Sequence, residues 1–222
     1  MAASLPRSTA AAATAATPDS ESGPRLWDPV VRVSHWGIAL VVLFNAVLDQ
    51  GGGTLHVTLG WIGMALLALR FIWGFAGPAE ARFTAFPPRP VAALAHLGAL
   101  RRGALRRYRS HNPAGALMAY ALWALLALIM ATGLIMTGGR TPMRVAEENA
   151  AVAAGDWSVL VKTGKTGEDA GKGLKKAAGE VHEMAADLIL ILVLLHVAGV
   201  AVESRALGRN LLAPMLAGGR RQ

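Results

Sequence analysis

The stretch VHEMAADLILILVLLHVAGV, residues 181–200, decides the fold, because an almost unbroken apolar run separates two histidines. A helix that crosses a bilayer needs about 20 mostly apolar residues, and this stretch has that length. His182 and His196 are fourteen positions apart. In an α-helix, fourteen residues rise about 21 Å and turn roughly 40° short of four full turns. The two imidazoles are therefore predicted on nearly the same helix face, one near each membrane surface.

Three further windows share this length and composition. Together with the stretch 181–200 they give four predicted spans, at about 30–48, 57–76, 114–137 and 183–202. Polar or Gly/Pro-rich segments join these spans. The 222-residue chain is 54% apolar and has 25 glycines, which is unlike a soluble single domain. We therefore predict an all-α integral membrane four-helix bundle within residues 25–208. Residues 1–24, rich in Ala, Ser, Thr and Pro, are predicted as a disordered tail, with a cleaved targeting segment as the alternative.

The distribution of Lys and Arg predicts the orientation of the bundle. Fourteen lie before or at the start of the first span, in the second loop or after the fourth span, none lies in the first loop (49–55), and seven lie in the long loop 138–181 among acidic residues. Both termini, including the basic tail 209–222, are thus predicted to be cytoplasmic, in a multi-pass membrane protein. This topology explains the net charge of +8 without nucleic acid. Residues 90–108, which include His96, predict a basic amphipathic helix that lies among the lipid headgroups.

The histidines form two predicted pairs. The chain has no cysteine, which excludes disulfides, cysteine-bound zinc, iron–sulfur clusters and covalently attached haem. In antiparallel spans, His35 and His196 come to similar depths near the inner surface, and His56 and His182 near the outer surface. A lone membrane histidine is more often a packing residue, but a low-spin b-type haem requires two axial imidazoles. We predict two haems b about 20 Å apart, which form a relay for electrons across the bilayer.

Arg70 provides a further candidate for the same cofactor. It lies fourteen residues after His56, hence at the depth of the inner pair and near the same helix face. A guanidinium there is suited to pair with haem propionates. An arginine that extends to the inner membrane surface is an equally consistent interpretation.

Several stretches resemble the prokaryotic cytochrome b561 family, which includes the b-type cytochrome subunits of membrane-bound nickel–iron hydrogenases. They are WDPVVRVSHW (27–36), HVTLGWIGMALLALRFIWGFAGPAEARFTAF (56–86), HNPAGALM (111–118), the opening stretch 181–200 and NLLAPMLAGGR (210–220). The resemblance implies a multi-pass protein of the bacterial inner membrane, a bundle with two haems b whose axial ligands are His35, His56, His182 and His196. His111 matches a histidine ahead of the third span in many members, and an interfacial helix cap formed with Asn112 is its plainer interpretation.

The predicted function is electron transfer between the quinone/quinol pool and a redox protein, either a periplasmic cytochrome or a subunit of a membrane complex. A bound quinone is the additional ligand expected, no catalytic residue is assigned, and whether the chain is an enzyme stays open. Alternatives are the anchor subunit of a respiratory complex such as a nickel–iron hydrogenase, and a superoxide:quinone oxidoreductase. Other classes of function also stay open, namely metal transport and a purely structural membrane subunit. A zinc membrane protease of the usual helix type is not expected, because HEMAAD (182–187) lacks the second histidine that such a helix needs.

Overall fold

The computed structural model describes residues 28–48, 52–104, 108, 111–159 and 168–216; the predicted tail 1–24 and residues 217–222 lie outside this part. The described residues form seven α-helices: α1 Pro29–Val47, α2 Thr54–Ala76, α3 Pro90–Arg101, α4 Pro113–Thr137, α5 Pro142–Ala153, α6 Glu168–Ala206 and α7 Ala213–Leu216. Two 3-10 turns, Ala79–Ala81 and Phe83–Ala85, join α2 to α3. The described residues form no strand, and four helical segments, containing α1, α2, α4 and α6, are long and apolar enough to cross a membrane. The predicted all-α four-helix membrane architecture is confirmed.

The four long helices pack as two pairs. The backbone of α1 lies close to α2, and that of α4 lies close to α6, whereas few close backbone approaches join α6 to α1 or α2. The pairs meet through a buried core of five residues, Leu67, Leu125, Leu126, Ala185 and Ile189. Many large apolar side chains, such as Phe75 and Leu194, point outward, as expected where lipid replaces water around the bundle.

Local sequence signals begin and end these helices. Asp28 caps α1, because its carboxylate accepts hydrogen bonds from the backbone N–H groups of Val30 and Val31. Asn112 caps α4 in the same way through the N–H of Gly115, and a proline follows each cap at the first helical position. Helix α4 ends at Gly138, whose φ of +62° is the left-handed conformation that glycine adopts without strain.

The described parts of the loop 138–181, residues 138–159 and 168–181, are more ordered than the sequence indicates. The composition of the loop lacks a strong core pattern and predicts ordering only against a partner, yet α5 forms there and packs beside the start of α2. Asn149 donates a hydrogen bond to Thr54 Oγ1, and Trp61 donates one to the Arg140 carbonyl, so side-chain contacts tie this loop to α2. Helix α6 begins at Glu168, well before the predicted span at 183. Ala178, buried within this early part, shows that the apolar stripe starts before the span does.

Helix α6 extends beyond the membrane. Its 39 residues correspond to about 58 Å of helix, whereas a bilayer with its headgroups is about 40–45 Å thick. Residues 171–177 are all exposed, and they include Lys172, Lys175 and Lys176. The helix therefore presents a basic turn beyond the His182 end of the bundle.

Candidate cofactor site

The structure brings together the first of the two predicted histidine pairs. His35 lies on α1 and His196 on α6, and the centroids of their rings are 6.3 Å apart. Their planes are inclined by 57°. Because few close backbone contacts join α1 to α6, the imidazoles face each other across the gap between the two helix pairs.

The second pair repeats this geometry at the other end of the bundle. His56 near the start of α2 and His182 on α6 have ring centroids 6.0 Å apart and planes inclined by 57°. Helix α6 thus contributes one histidine to each pair, while α1 and α2 contribute the other two. Between the two levels, Ala185 and Ile189 bury the same face of α6.

Both separations fit an iron between two imidazoles. A ligating nitrogen lies about 2 Å from a first-row metal ion and about 1.1 Å from the centre of its own ring, so two axial rings have centroids roughly 6.2 Å apart. Direct contact between two stacked imidazoles would need less space than this. The residues present therefore fit a bis-histidine metal centre at each level.

Hydrogen bonds fix the ring of His182. Its Nδ1 lies 3.0 Å from the Ile129 carbonyl and 3.0 Å from Thr132 Oγ1. The Thr132 hydroxyl also lies 2.9 Å from the carbonyls of Leu128 and Ile129, to which it donates. Because a carbonyl oxygen can only accept, the contact with Ile129 places the proton on Nδ1 and leaves Nε2 free to ligate, and Thr132 Oγ1 accepts from the same N–H. The sequence alone does not identify Thr132 as a partner of His182. Its position three residues after Ile129 on a long apolar helix is the only feature of the sequence that relates to this role.

A cavity of about 160 Å³ adjoins the His56–His182 pair. Its walls are almost entirely apolar and come from α1, α2, α4 and α6; they include Gly60 and Asn45. A Cβ atom built on Gly60 would meet no atom within 4 Å, so this side of His56 is open. The buried Oδ1 of Asn45 has no hydrogen-bond partner among the described residues, and it offers a polar group to whatever occupies the cavity.

Arg70 is buried at the depth of the His35–His196 pair, with 5% of its surface exposed. Its guanidinium stacks over Trp123 at 4.9 Å and approaches the Ala81 carbonyl at 3.4 Å. Within the described part of the chain, no carboxylate lies at ion-pair distance from it. A buried cation that lacks an anionic partner is suited to bind an anionic group such as a propionate. Its burial does not match an arginine that extends to the membrane surface.

The connection from α2 to α3 covers Arg70. Phe83 packs against Phe71, Phe75 and Trp123, and its ring lies where a Cβ on Gly74 would clash at 2.3 Å. Glycine at position 74 is therefore required for this close approach. The covering segment keeps water from the guanidinium.

The sequence model of a family described as prokaryotic cytochrome b561 matches residues 26–218, most of the chain. This chain belongs to that family. No curated protein and no solved structure matches it. Membership of the cytochrome b561 family and the four apolar helices make the chain an integral membrane b-type cytochrome that acts in electron transfer.

The two remaining histidines of this cytochrome lie outside the pairs. His111 packs against Phe86 with ring centroids 4.5 Å apart, and Asn112 alone provides the side-chain cap of α4. Burial, together with the positive charge of Arg70, lowers the pKa of His111 to about 4, so its imidazole is neutral at neutral pH. His96 lies on α3 as predicted, but its ring is buried against α6. The apolar residues Val91, Leu94 and Leu97 of α3 are exposed instead, as expected for a helix that rests on lipid.

Proposed function

We propose that this cytochrome holds two haems b, one between His35 and His196 and one between His56 and His182, and transfers electrons through them between quinone and a redox protein. The observation that carries the proposal is the pair of imidazole separations, 6.3 Å and 6.0 Å, at two levels of one bundle. Bis-histidine haem supplies reversible one-electron chemistry and leaves no axial position for dioxygen.

The protein's own groups have separate tasks in this function. The imidazoles ligate, and Thr132 with the Ile129 carbonyl orients His182. Arg70 provides a positive charge for a propionate, and Phe83 with Trp123 excludes water around it. The fourteen-residue spacing of His182 and His196 on α6 separates the two levels by about 21 Å along the helix.

The test is the haem-to-protein ratio of the purified cytochrome, with a visible spectrum followed through a redox titration. Two haems per chain are expected in the wild type. His196→Ala and His182→Ala should each lose one, and they should lose haems of different midpoint potential. His111→Gln is the control, because this imidazole lies outside both pairs, and it should keep both haems. One haem in the wild type, or loss of the same haem in both variants, would contradict the assignment.

The redox protein is proposed to dock at the His182 end. Exposed Lys172, Lys175 and Lys176 extend there beyond the membrane and favour a partner with an acidic surface. Mixing the reduced cytochrome with an acidic soluble cytochrome at rising salt concentration measures this, because the rate of electron transfer should fall as charges are screened. A rate that does not depend on salt would contradict docking at this end.

The anchor function and the superoxide function are outcomes that the same preparation distinguishes. Isolation in a stable complex with a cluster-bearing subunit would identify the chain as an anchor that passes electrons from that subunit to quinone. Reduction of the cytochrome by superoxide, followed by its reoxidation with a soluble quinone, would identify the superoxide:quinone activity. Reduction by a quinol and reoxidation by a soluble cytochrome would support the proposal made here.

A further inference from the structure

Three polar side chains from three elements meet at the His35 end of the bundle. Glu203 lies near the end of α6, His96 on α3 and Asn112 at the cap of α4. The amide of Asn112 donates a hydrogen bond to Glu203 Oε2, and His96 Nε2 lies 3.7 Å from Glu203 Oε1. The sequence gives Glu203 no partner, because these residues are far apart along the chain.

Burying the Glu203 carboxyl and the His96 imidazole here costs free energy unless each group stabilises the charge of the other. Glu203 and His96 are both buried residues. Ionisable groups inside a membrane protein are expensive and usually functional. The cap of α4 does not need Glu203, because the Asn112 side chain alone accepts the Gly115 N–H at 2.6 Å. A merely structural role for the carboxyl would be served as well by an amide.

The distance between Glu203 and His96 permits a change of protonation. A separation of 3.7 Å is longer than a hydrogen bond, so no proton is fixed between the two groups. With one proton on either group the pair is neutral, and without it the pair carries one negative charge. The side chain of Glu203 is 12% exposed and lies three residues before the end of α6, so a proton can reach it from the membrane surface.

The pair is placed to respond to charge at the His35–His196 level. Glu203 follows His196 by seven residues, which is a rise of about 10.5 Å and a turn within roughly 20° of the same helix face. The other titratable groups near the pair are Tyr108, whose ring contacts His96 at 5.7 Å, and Arg209, whose positive charge acts on Glu203. In a low-dielectric interior, added negative charge at this distance favours protonation.

We propose that Glu203 and His96 form a proton-binding site that is coupled to electron uptake at the His35–His196 pair. The inference rests on the proposed function, since it needs an iron between those imidazoles. One electron from a quinol or a reduced partner adds one negative charge at that level, and one proton from the adjacent aqueous phase binds to the Glu203–His96 pair. When the electron passes on to its acceptor, the proton is released.

The test is the pH dependence of both midpoint potentials. In the wild type, one potential should fall by about 59 mV for each tenfold fall in proton concentration over the pH range in which the pair takes up its proton, and the other should not. Glu203→Gln keeps an acceptor for Asn112 but cannot titrate, so it should make both potentials independent of pH there. Glu180→Gln, the same change at the other end of α6, should retain the wild-type slope.

Three results would overturn the inference. They are a wild type in which neither potential depends on pH, a slope that persists in Glu203→Gln, and a slope lost equally in Glu180→Gln. If Glu203→Gln does not fold, His96→Gln provides the second variant, and it should move the pH range of the slope; an unchanged range would contradict the pairing. Failure of this inference is distinct from failure of the proposed function, because two haems would still titrate in the first case and not in the second.

Discussion

Substitution of Thr132 tests whether its hydrogen bond to His182 Nδ1 sets the properties of His182 as a ligand. The isosteric change Thr132→Val removes the hydroxyl that accepts a hydrogen bond from His182 Nδ1 at 3.0 Å. The Ile129 carbonyl stays at the same distance, so the ring loses one of its two acceptors. The lost bond is worth about 0.5–1.5 kcal/mol. The ring should therefore keep its tautomer but donate its proton more weakly.

Weaker donation makes the ligating nitrogen less basic, which disfavours the oxidised iron. We expect the midpoint potential of the haem at His56 and His182 to rise. About 1 kcal/mol corresponds to roughly 40 mV for a one-electron couple, since a tenfold change in equilibrium is 59 mV. The potential at the other pair should stay unchanged.

The assay is a potentiometric titration followed at the visible haem bands. Thr132→Ser keeps the hydroxyl and should restore the wild-type potential. Thr137→Val is the matched control, because Thr137 makes the same bonds to preceding carbonyls of α4 and its hydroxyl bonds no histidine among the described residues. Equal shifts in Thr132→Val and Thr137→Val, or no shift in Thr132→Val with both haems present, would refute the reasoning.

Three other substitutions test separate parts of the structure. Asp28→Ala removes the cap of α1 and the acceptor of the Trp73 indole N–H at 2.9 Å, so thermal unfolding in detergent should show a loss of about 2–3 kcal/mol, against about 1 for Trp73→Phe. Gly60→Leu should fill the open side of His56 and lower haem content at that pair, while Gly60→Ala should keep both haems by pigment analysis. Arg70→Gln removes a buried positive charge, so one midpoint potential in a redox titration should fall by an amount on the order of tens of millivolts, whereas Arg70→Lys should retain most of it.

Helical periodicity explains how much of this site the sequence predicts. Hydrophobic length identifies the four spanning helices, and a fourteen-residue interval places two histidines on one face of α6. Those signals are local and follow from helix geometry alone. The pairing of His35 with His196 needs only the further assumption that neighbouring spans are antiparallel.

Contacts between residues that are far apart along the chain cannot be predicted from the sequence in this way. Thr132 resembles any other threonine within a membrane helix, and its role depends on how closely α4 packs beside His182. The contact of Glu203 with His96 and Asn112 joins three elements that no periodicity relates. The early start of α6 was missed because residues 168–180 are polar, and only packing of Ala178 shows that the helix is already formed there.

The division of the bundle into two helix pairs gives the cofactor a structural role as well. Helices α4 and α6 pack closely, and α4 supports His182 through Ile129, Thr132 and the close approach of Gly133, where a Cβ would lie 3.5 Å from the imidazole. The other two histidines lie on α1 and α2, whose side chains meet α4 and α6 in the core around Leu67 and where Arg70 and Phe71 contact Trp123. A group bound between the imidazoles therefore adds further contacts between the two halves. Binding that favours the folded state in this way stabilises the fold by mass action, so haem loading and assembly of the bundle are expected to be coupled.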